Sequence, residues 1–125
     1  MKKSIFTFGV IAGLSLLFGC EKEQPAKNVE GNYTGVFQGV FQGNDTINAN
    51  LPVFVTASTK NKVFIEGTLF SNFEVLVTQQ GLNVDPVSTD ANLNAFLYQG
   101  DETLKELSFT YYNNGDTAVY VGTKP

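Results

Sequence analysis

The segment GNYTGVFQGVFQG, residues 31–43, contains the unit GVFQ twice in succession. Side chains alternate between the two faces of a β-strand, so Tyr33, Phe37 and Phe41 would share one face, with glycines between them. Residues four apart also nearly align on a helix, but four glycines in thirteen residues would each cost a helix about 1 kcal/mol. The repeat therefore predicts a strand on which rings alternate with gaps. These gaps would let a neighbouring ring lie across the strand or let the strand bend, as a small barrel requires.

The rest of the chain continues with the same period of two. Apolar residues share a face in the sets Leu51, Val53, Val55, Ala57; Val63, Ile65, Gly67, Leu69; Phe73, Val75, Val77; Leu93, Ala95, Leu97; Leu107, Phe109, Tyr111; and Val119, Val121. Clusters of turn residues separate these sets, and Asn114-Gly115 is the sharpest hairpin signal among them. A single helical turn within residues 87–93 is the one exception that we expect after residue 31. The pattern predicts an all-β antiparallel meander of seven to eight strands closing into a small barrel, with a β-sandwich as the alternative.

Aromatic residues also occupy the other side of several strands. By the same alternation they are Phe54, Phe64, Phe70, Phe96, Tyr98 and Tyr120. Some of them would close the barrel ends or fill a second small core. Others, with Phe64, Phe70 and Tyr120 as the candidates, would form an exposed patch, which on a monomer marks a contact surface.

The first thirty residues indicate export and a lipid anchor. Lys2 and Lys3 precede an apolar run over residues 5–18, which is shorter than the about 20 residues of a membrane-spanning helix and is typical of a secretory signal. The run ends in Leu-Phe-Gly-Cys, which resembles the lipobox of bacterial lipoproteins, and this resemblance implies lipid on Cys20. We expect a signal peptide over residues 1–19, the lipidated Cys20 and a flexible tether over 20–30, and one domain over 31–125. An ordinary signal peptide or an uncleaved anchor are the alternatives.

Composition excludes several classes of function. Removal of residues 1–19 would leave six lysines against twelve acidic residues, a net charge of −6, and such a surface repels nucleic acid. The chain contains no histidine, so it lacks a Ser/His or Cys/His nucleophile pair and an imidazole zinc site. It also contains no arginine to clamp a phosphate, and its one cysteine cannot form an internal disulfide.

Acidic residues gather in the predicted turns, at Asp85, Asp90, Asp101, Glu102 and Asp116. A glycosidase needs two carboxylates held about 5–9.5 Å apart, whereas turn aspartates more often accept local backbone hydrogen bonds. Calcium would need six or more converging oxygens, and the segments lack the spacing of a calcium loop. We therefore predict no enzymatic activity, no catalytic residues, no cofactor and no metal.

The tripeptides Asp45-Thr46-Ile47 and Asp116-Thr117-Ala118 resemble an O-glycosylation signal of some bacterial lipoproteins. This resemblance implies Thr46 and Thr117 as sites of modification. Both tripeptides lie at turn edges, where Asp and Thr are common for structural reasons.

The segment GNYTG at the start of the first strand, the meander and YVGTKP at its end resemble the small calycin-like, lipocalin-like β-barrel lipoproteins of Gram-negative bacteria. The resemblance covers residues 31–125. Gly31, Asn32 and Tyr33 stand where lipocalins carry Gly, any residue and Trp. The resemblance implies an up-and-down barrel with paired first and last strands, anchored by lipid at the outer membrane on its periplasmic or cell-surface side. A barrel of about eight strands has room for side chains or one small ligand.

Two functions follow from these patterns. Because the predicted core is rich in phenylalanine, we expect a filled barrel that acts as an interaction or accessory protein, with a protein or glycan partner on its outer face. The alternative is a binding module in which Tyr33, Phe37, Phe41 and Tyr98 surround a small apolar ligand.

Overall fold

A computed structural model describes residues 24–87, 92–101 and 103–125, and within them it contains one short helix and eight strands. The helix α1 spans Pro25–Val29, and the strands are β1 Gly31–Phe41, β2 Asn44–Thr59, β3 Lys62–Glu66, β4 Phe73–Gln80, β5 Asn83–Pro86, β6 Leu93–Gly100, β7 Lys105–Asn113 and β8 Asp116–Thr123. Each strand pairs antiparallel with the next, and β8 pairs with β1 to close the barrel. The all-β meander barrel is confirmed, and the sandwich alternative is wrong. No helix among the described residues is long and apolar enough to cross a membrane.

The glycines of the GVFQ repeat lie at the seam where β1 meets β8. Gly35 pairs with Gly122, and Gly39 pairs with Ala118. A Cβ on Gly39 would lie 2.8 Å from the carbonyl carbon of Thr117, and a Cβ on Gly35 would overlap the β8 backbone similarly. The gaps in the repeat thus admit the backbone of the closing strand and not a neighbouring ring.

The inward face of the barrel forms one hydrophobic core. The period-two pattern correctly predicts which residues of β1, β2, β3, β4 and β7 face inward, although Phe41 and Ala57 are only partly buried. The prediction is wrong for β6, where an irregularity in the pairing between Leu93 and Ala95 turns Phe96 and Tyr98 inward in place of Ala95 and Leu97. An extra residue in a strand reverses the faces of all residues after it.

Strand β8 also has its faces reversed relative to the prediction. Ala118 and Tyr120 are buried, whereas Val119 and Val121 are exposed. The segment is apolar on both faces, so its pattern does not select one. The ring of Tyr120 lies against Gly122, where the missing side chain leaves it space inside the barrel.

Helix α1 covers one end of the barrel, which we call the α1 end. Ala26 and Val29 are fully buried, and the Ala26 N–H donates to the carbonyl of Lys60 at 3.0 Å. Pro25 stands at the start of the helix, where its missing N–H costs nothing. The flexible tether predicted for residues 20–30 is therefore too long, because the folded domain already includes Pro25. Cys20 and the predicted signal peptide lie outside the described residues.

Two tight hairpin turns stand at the other end of the barrel. Asn114 and Gly115 have φ of 52° and 90°, which confirms the predicted hairpin, and Gln42 and Gly43 adopt the same conformation with 53° and 81°. The short strand β5 is absent from the prediction, which places Asp85 in a turn. The helical turn predicted within 87–93 falls mostly on residues 88–91, outside the described part of the chain.

Candidate functional site

Aromatic rings fill the half of the barrel that lies away from α1. Phe73 stacks on Tyr111 with ring centroids 4.1 Å apart, and Phe109 contacts the rings of Phe73, Phe70 and Tyr120 at 5.2, 5.4 and 5.4 Å. The cavity beside Phe70 and Tyr111 measures about 10 Å³. Such a space holds a single water at most. This half of the interior is a packed core.

Tyrosine hydroxyls in the interior donate to backbone carbonyls. Tyr33 donates to Val29, which holds α1 on the barrel, and Tyr120 donates to Leu51 at 3.0 Å. Burial raises the pKa of Tyr33 far above its ordinary value and raises the pKa of Tyr120 to about 12. Both hydroxyls are therefore neutral donors with a structural role at ordinary pH.

The four residues predicted to surround a ligand do not all lie in the core. Tyr33, Phe37 and Tyr98 are buried inside the barrel, whereas Phe41, the last residue of β1, is only partly buried. Whether they contact a ligand stays a prediction. Their packing with the core explains their burial without one.

The predicted interaction face of Phe64, Phe70 and Tyr120 is wrong for two of its three members. Phe70 and Tyr120 are only 7% and 0% exposed, whereas Phe64 points outward and is partly buried. Phe70 lies beyond the end of β3, and its ring packs over Gly67 into the mouth of the barrel. The alternation of a strand therefore does not apply to it.

An open groove of about 380 Å³ lies at the α1 end. We call it the lysine groove; it is bordered by Lys27, Asn28, Gln79, Leu82, Tyr98, Gly100, Asp101, Lys105 and Lys124. The Asn28 side-chain amide donates to Gln79 at 2.8 Å across the groove. Three lysines thus meet in one concave surface of an acidic protein.

Lys124, directly after β8, holds α1 against the barrel. Its ammonium donates to the carbonyls of Asn28 and Glu30 at 2.6 and 2.7 Å, and it lies 5.1 Å from the ring centroid of Tyr98. Burial, together with repulsion from Lys105, lowers the pKa of Lys124 to about 8. An ammonium carries three donors, of which these carbonyls take two, and its charge also lies 5.6 Å from the ring centroid of Tyr33.

The carboxylates beside the groove already have partners. Asp101 accepts hydrogen bonds from the N–H groups of Thr103 and Leu104 at 2.9 and 2.5 Å, and these bonds lower its pKa. This arrangement confirms the predicted local role of a turn aspartate for Asp101. Glu30 accepts from the Ala57 N–H at 3.1 Å. In the described ranges, no three acidic or cysteine side chains converge on a common point that could hold a metal ion.

A second surface lies on the outside of the barrel, across the seam. We call Val36, Ile47, Val119 and Val121 the outer valine face. Val36 pairs with Val121, and Gln38 pairs with both Ile47 and Val119. Their exposed fractions run from 42% to 73%, which is high for aliphatic side chains that lie together. Sequence reasoning missed this face because it assigned the two β8 valines to the interior.

The outer valine face continues into a wider uncharged surface. The outward residues of β7, β8 and β1 between Glu106 and the β1–β2 turn are Ser108, Thr110, Tyr112, Thr117, Val119, Val121, Thr123, Asn32, Thr34, Val36, Gln38 and Val40. Charged residues are depleted from the centres of protein interfaces. The surface shares this lack of charged residues with the centre of an interface.

The two threonines predicted as modification sites lie on either side of β1. Thr46 pairs with Gly39, and Thr117 pairs with Val40. Both border one shallow depression, together with Ile47 and Val119 of the outer valine face. Their modification stays a prediction.

No protein-family model, no curated protein and no solved structure matches the chain. The arguments for its function therefore rest on its own sequence and geometry.

Proposed function

We propose that the protein is a bacterial lipoprotein, anchored by lipid on Cys20 at the outer membrane, whose barrel binds another protein of the envelope through the outer valine face. It is an interaction or accessory domain and not an enzyme. The observation that carries the proposal is the combination of a filled interior with an uncharged, aliphatic outer surface.

The filled interior supports an action through the surface. The rings of Phe73, Phe109 and Tyr111 occupy the centre of one half of the barrel, and Tyr33, Phe37 and Tyr98 occupy the other. A carrier of small molecules usually keeps a pocket of about 300–1,000 Å³. The cavity of about 10 Å³ beside Phe70 and Tyr111 is far below that range, and the lysine groove of about 380 Å³ beside Tyr98 is open to solvent at the α1 end.

The outer valine face favours a protein as the partner. A glycan is usually bound through polar side chains, whereas Val36, Ile47, Val119 and Val121 offer apolar contacts on a pleated surface. Removal of such apolar side chains from water favours association with another protein surface. The surrounding threonines supply hydrogen bonds of the kind found at an interface rim.

The lipid anchor is tested by labelling growing cells with a palmitate analogue and comparing the full chain with its Cys20→Ser variant. We expect label on the first and none on the second. Label on the variant, or none on the full chain, would refute the anchor.

The partner is tested by a photoreactive residue at position 47, with one at Leu76 of β4 as the control, since both side chains are exposed. We expect one defined crosslinked protein from position 47, lost when Val119 is changed to Lys, and none from position 76. Crosslinks between two copies of the chain would show that the face binds a second copy and would refute a different protein as the partner. Equal products from both positions would refute a specific face.

Native mass spectrometry of the full chain, extracted from membranes without denaturation, separates the proposal from the alternative of a ligand in the barrel. We expect the mass of the chain with its lipid modification alone. An additional mass that leaves only on unfolding would favour a binding module with a small apolar ligand.

A further inference from the structure

The lysines of the described domain all lie at one end of the barrel. Lys27 is in α1, Lys60 is in the turn between β2 and β3, Lys62 and Lys105 begin their strands, and Lys124 follows β8. Because the strands alternate in direction, all five positions belong to the α1 end. Among the described residues, the other end has acidic residues and no lysine, with Asp45 and Asp116 beside its two hairpin turns.

The carboxylates around the lysine groove offset only part of its positive charge, since Lys27 pairs with Glu30 and Asp101 also borders the groove. Asp101 caps its own loop, and Glu30 accepts from a backbone N–H and lies 4.0 Å from Lys27. Neither of the two ion pairs found in the described part of the chain includes Lys105 or Lys124. Besides burial, repulsion from Lys105 contributes to the lowered pKa of Lys124, and the attraction of Glu30 opposes this lowering without cancelling it. An anion between the two lysines would remove that repulsion.

The position of Cys20 relates this end to a membrane. Pro25, the first residue of α1, stands five positions after Cys20. A chain of that length spans at most about 17 Å. If lipid is attached at Cys20, as the proposed function holds, the α1 end is the end that reaches the bilayer.

We propose that the lysine groove binds the phosphate of an anionic phospholipid headgroup in the membrane that anchors the protein. The orientation rests on the proposed lipid anchor, whereas the groove itself is present in the fold. Lys27, Lys105 and Lys124 all border the groove and supply its positive charge. Lysine is a common phosphate ligand as a mobile point charge. The acidic end would be repelled by the same lipids, which reinforces one orientation.

The test is an NMR titration of the full chain, extracted and held in dodecyl maltoside micelles. Dihexanoyl phosphatidylglycerol, dihexanoyl phosphatidylcholine and inorganic phosphate are added in separate experiments, while the amides of Asn28 and Gly100 report on the groove. We expect saturable shifts at these amides with phosphatidylglycerol, and at least tenfold weaker binding of the other two. Equal binding of inorganic phosphate would assign the groove to free anions and overturn the lipid assignment.

The variant Lys105→Gln and its matched control Lys60→Gln separate the groove from the general charge of the α1 end. Both remove one lysine from the same end, but Lys60 does not border the groove. We expect Lys105→Gln to weaken the binding of phosphatidylglycerol about fivefold and Lys60→Gln to change it less than twofold. Equal losses, or no shifts at the groove amides, would overturn the proposal. The mass of the same preparation reports lipid on Cys20 independently, so a failed anchor and a failed groove are distinguishable.

Discussion

Adding one methyl group to Gly39 tests whether close approach of backbones at the seam closes the barrel. The Cβ of Gly39→Ala would lie 2.8 Å from the carbonyl carbon of Thr117 and 3.3 Å from Cα of Ala118. Both atoms belong to the backbone of β8, so no rotation of a side chain can relieve the overlap. The strands would have to separate where β1 and β8 pair.

The cost of Gly39→Ala has two parts. Overpacking at a rigid site costs about 1–3 kcal/mol. Each backbone hydrogen bond that is broken between β1 and β8 costs about 1 kcal/mol more, and the separation of the strands would break at least one. We expect the free energy of unfolding to fall by about 3 kcal/mol. For a domain of this size that loss corresponds to a decrease in Tm of about 12 °C or more.

Urea unfolding of the full chain, followed by circular dichroism, measures this loss. Gln38→Ala is the matched control, because Gln38 is the preceding residue of the same strand and is exposed. We expect the control to change the free energy of unfolding by less than about 0.5 kcal/mol. If Gly39→Ala is as stable as the control, the explanation of the GVFQ repeat by crowding at the seam is wrong.

Three further predictions concern the core, the α1 end and pH. Phe109→Ala should lower the free energy of unfolding by about 3–5 kcal/mol in urea, because three rings lose contacts, whereas Phe54→Ala, 45% exposed, should cost less than about 1 kcal/mol. Lys124→Met should free α1 and speed hydrogen exchange of the Ala26 amide at least tenfold, while core strand amides keep their rates. The pKa of Tyr120 is raised from 10.0 to about 12 in the folded state, so its stabilising contribution is complete below pH 10 and is lost as pH rises to 12. Urea midpoints measured over that range should fall for the wild type and less for Tyr120→Phe; an equal fall would contradict the assignment.

The fold was predictable wherever one face of a strand was clearly more apolar than the other. In β2, Leu51, Val53 and Val55 alternate with polar or half-exposed residues, and they are buried as the pattern predicts. The hairpin at Asn114-Gly115 was predictable because Asn-Gly is the pair that most readily adopts positive φ at both positions of a tight turn. These signals are local, and local signals were sufficient for the meander.

Burial in β6 and β8 was not predictable from alternation. A pairing irregularity after Leu93 reverses β6, and it depends on the partner strand rather than on the residues of β6 alone. In β8, either the valines or Tyr120 could face the interior by composition. The space beside Gly122, which the ring of Tyr120 occupies, favours the tyrosine. The outer valine face, which carries the proposed function, was therefore hidden by the reversal of a single strand.

The lysine groove was hidden for a different reason. Lys27, Lys105 and Lys124 are separated by up to 97 positions in the sequence, and only the alternation of strand directions brings their ends together. Helix α1 adds Lys27 from a segment that composition assigned to a tether. A polar segment with few apolar residues predicts a tether. Here two apolar residues, Ala26 and Val29, are enough to hold the segment on the barrel, because both are fully buried.

The two proposed surfaces together restrict the kind of partner. If the lysine groove rests on the bilayer, the strands rise from it and the outer valine face becomes a side wall that faces along the membrane. The strands of such a barrel tilt by about 35–45° from its axis. The outer valine face therefore follows a helical path around the barrel and does not face a single direction along its whole height. A partner at the side wall would stand at the same height above the lipid, as a second anchored or embedded protein does. A soluble partner would instead have free access to the acidic end, which carries Asp45 and Asp116. The crosslinked product from position 47 should therefore sediment with membranes even after the lipid on Cys20 is removed; a product that becomes soluble would contradict this arrangement.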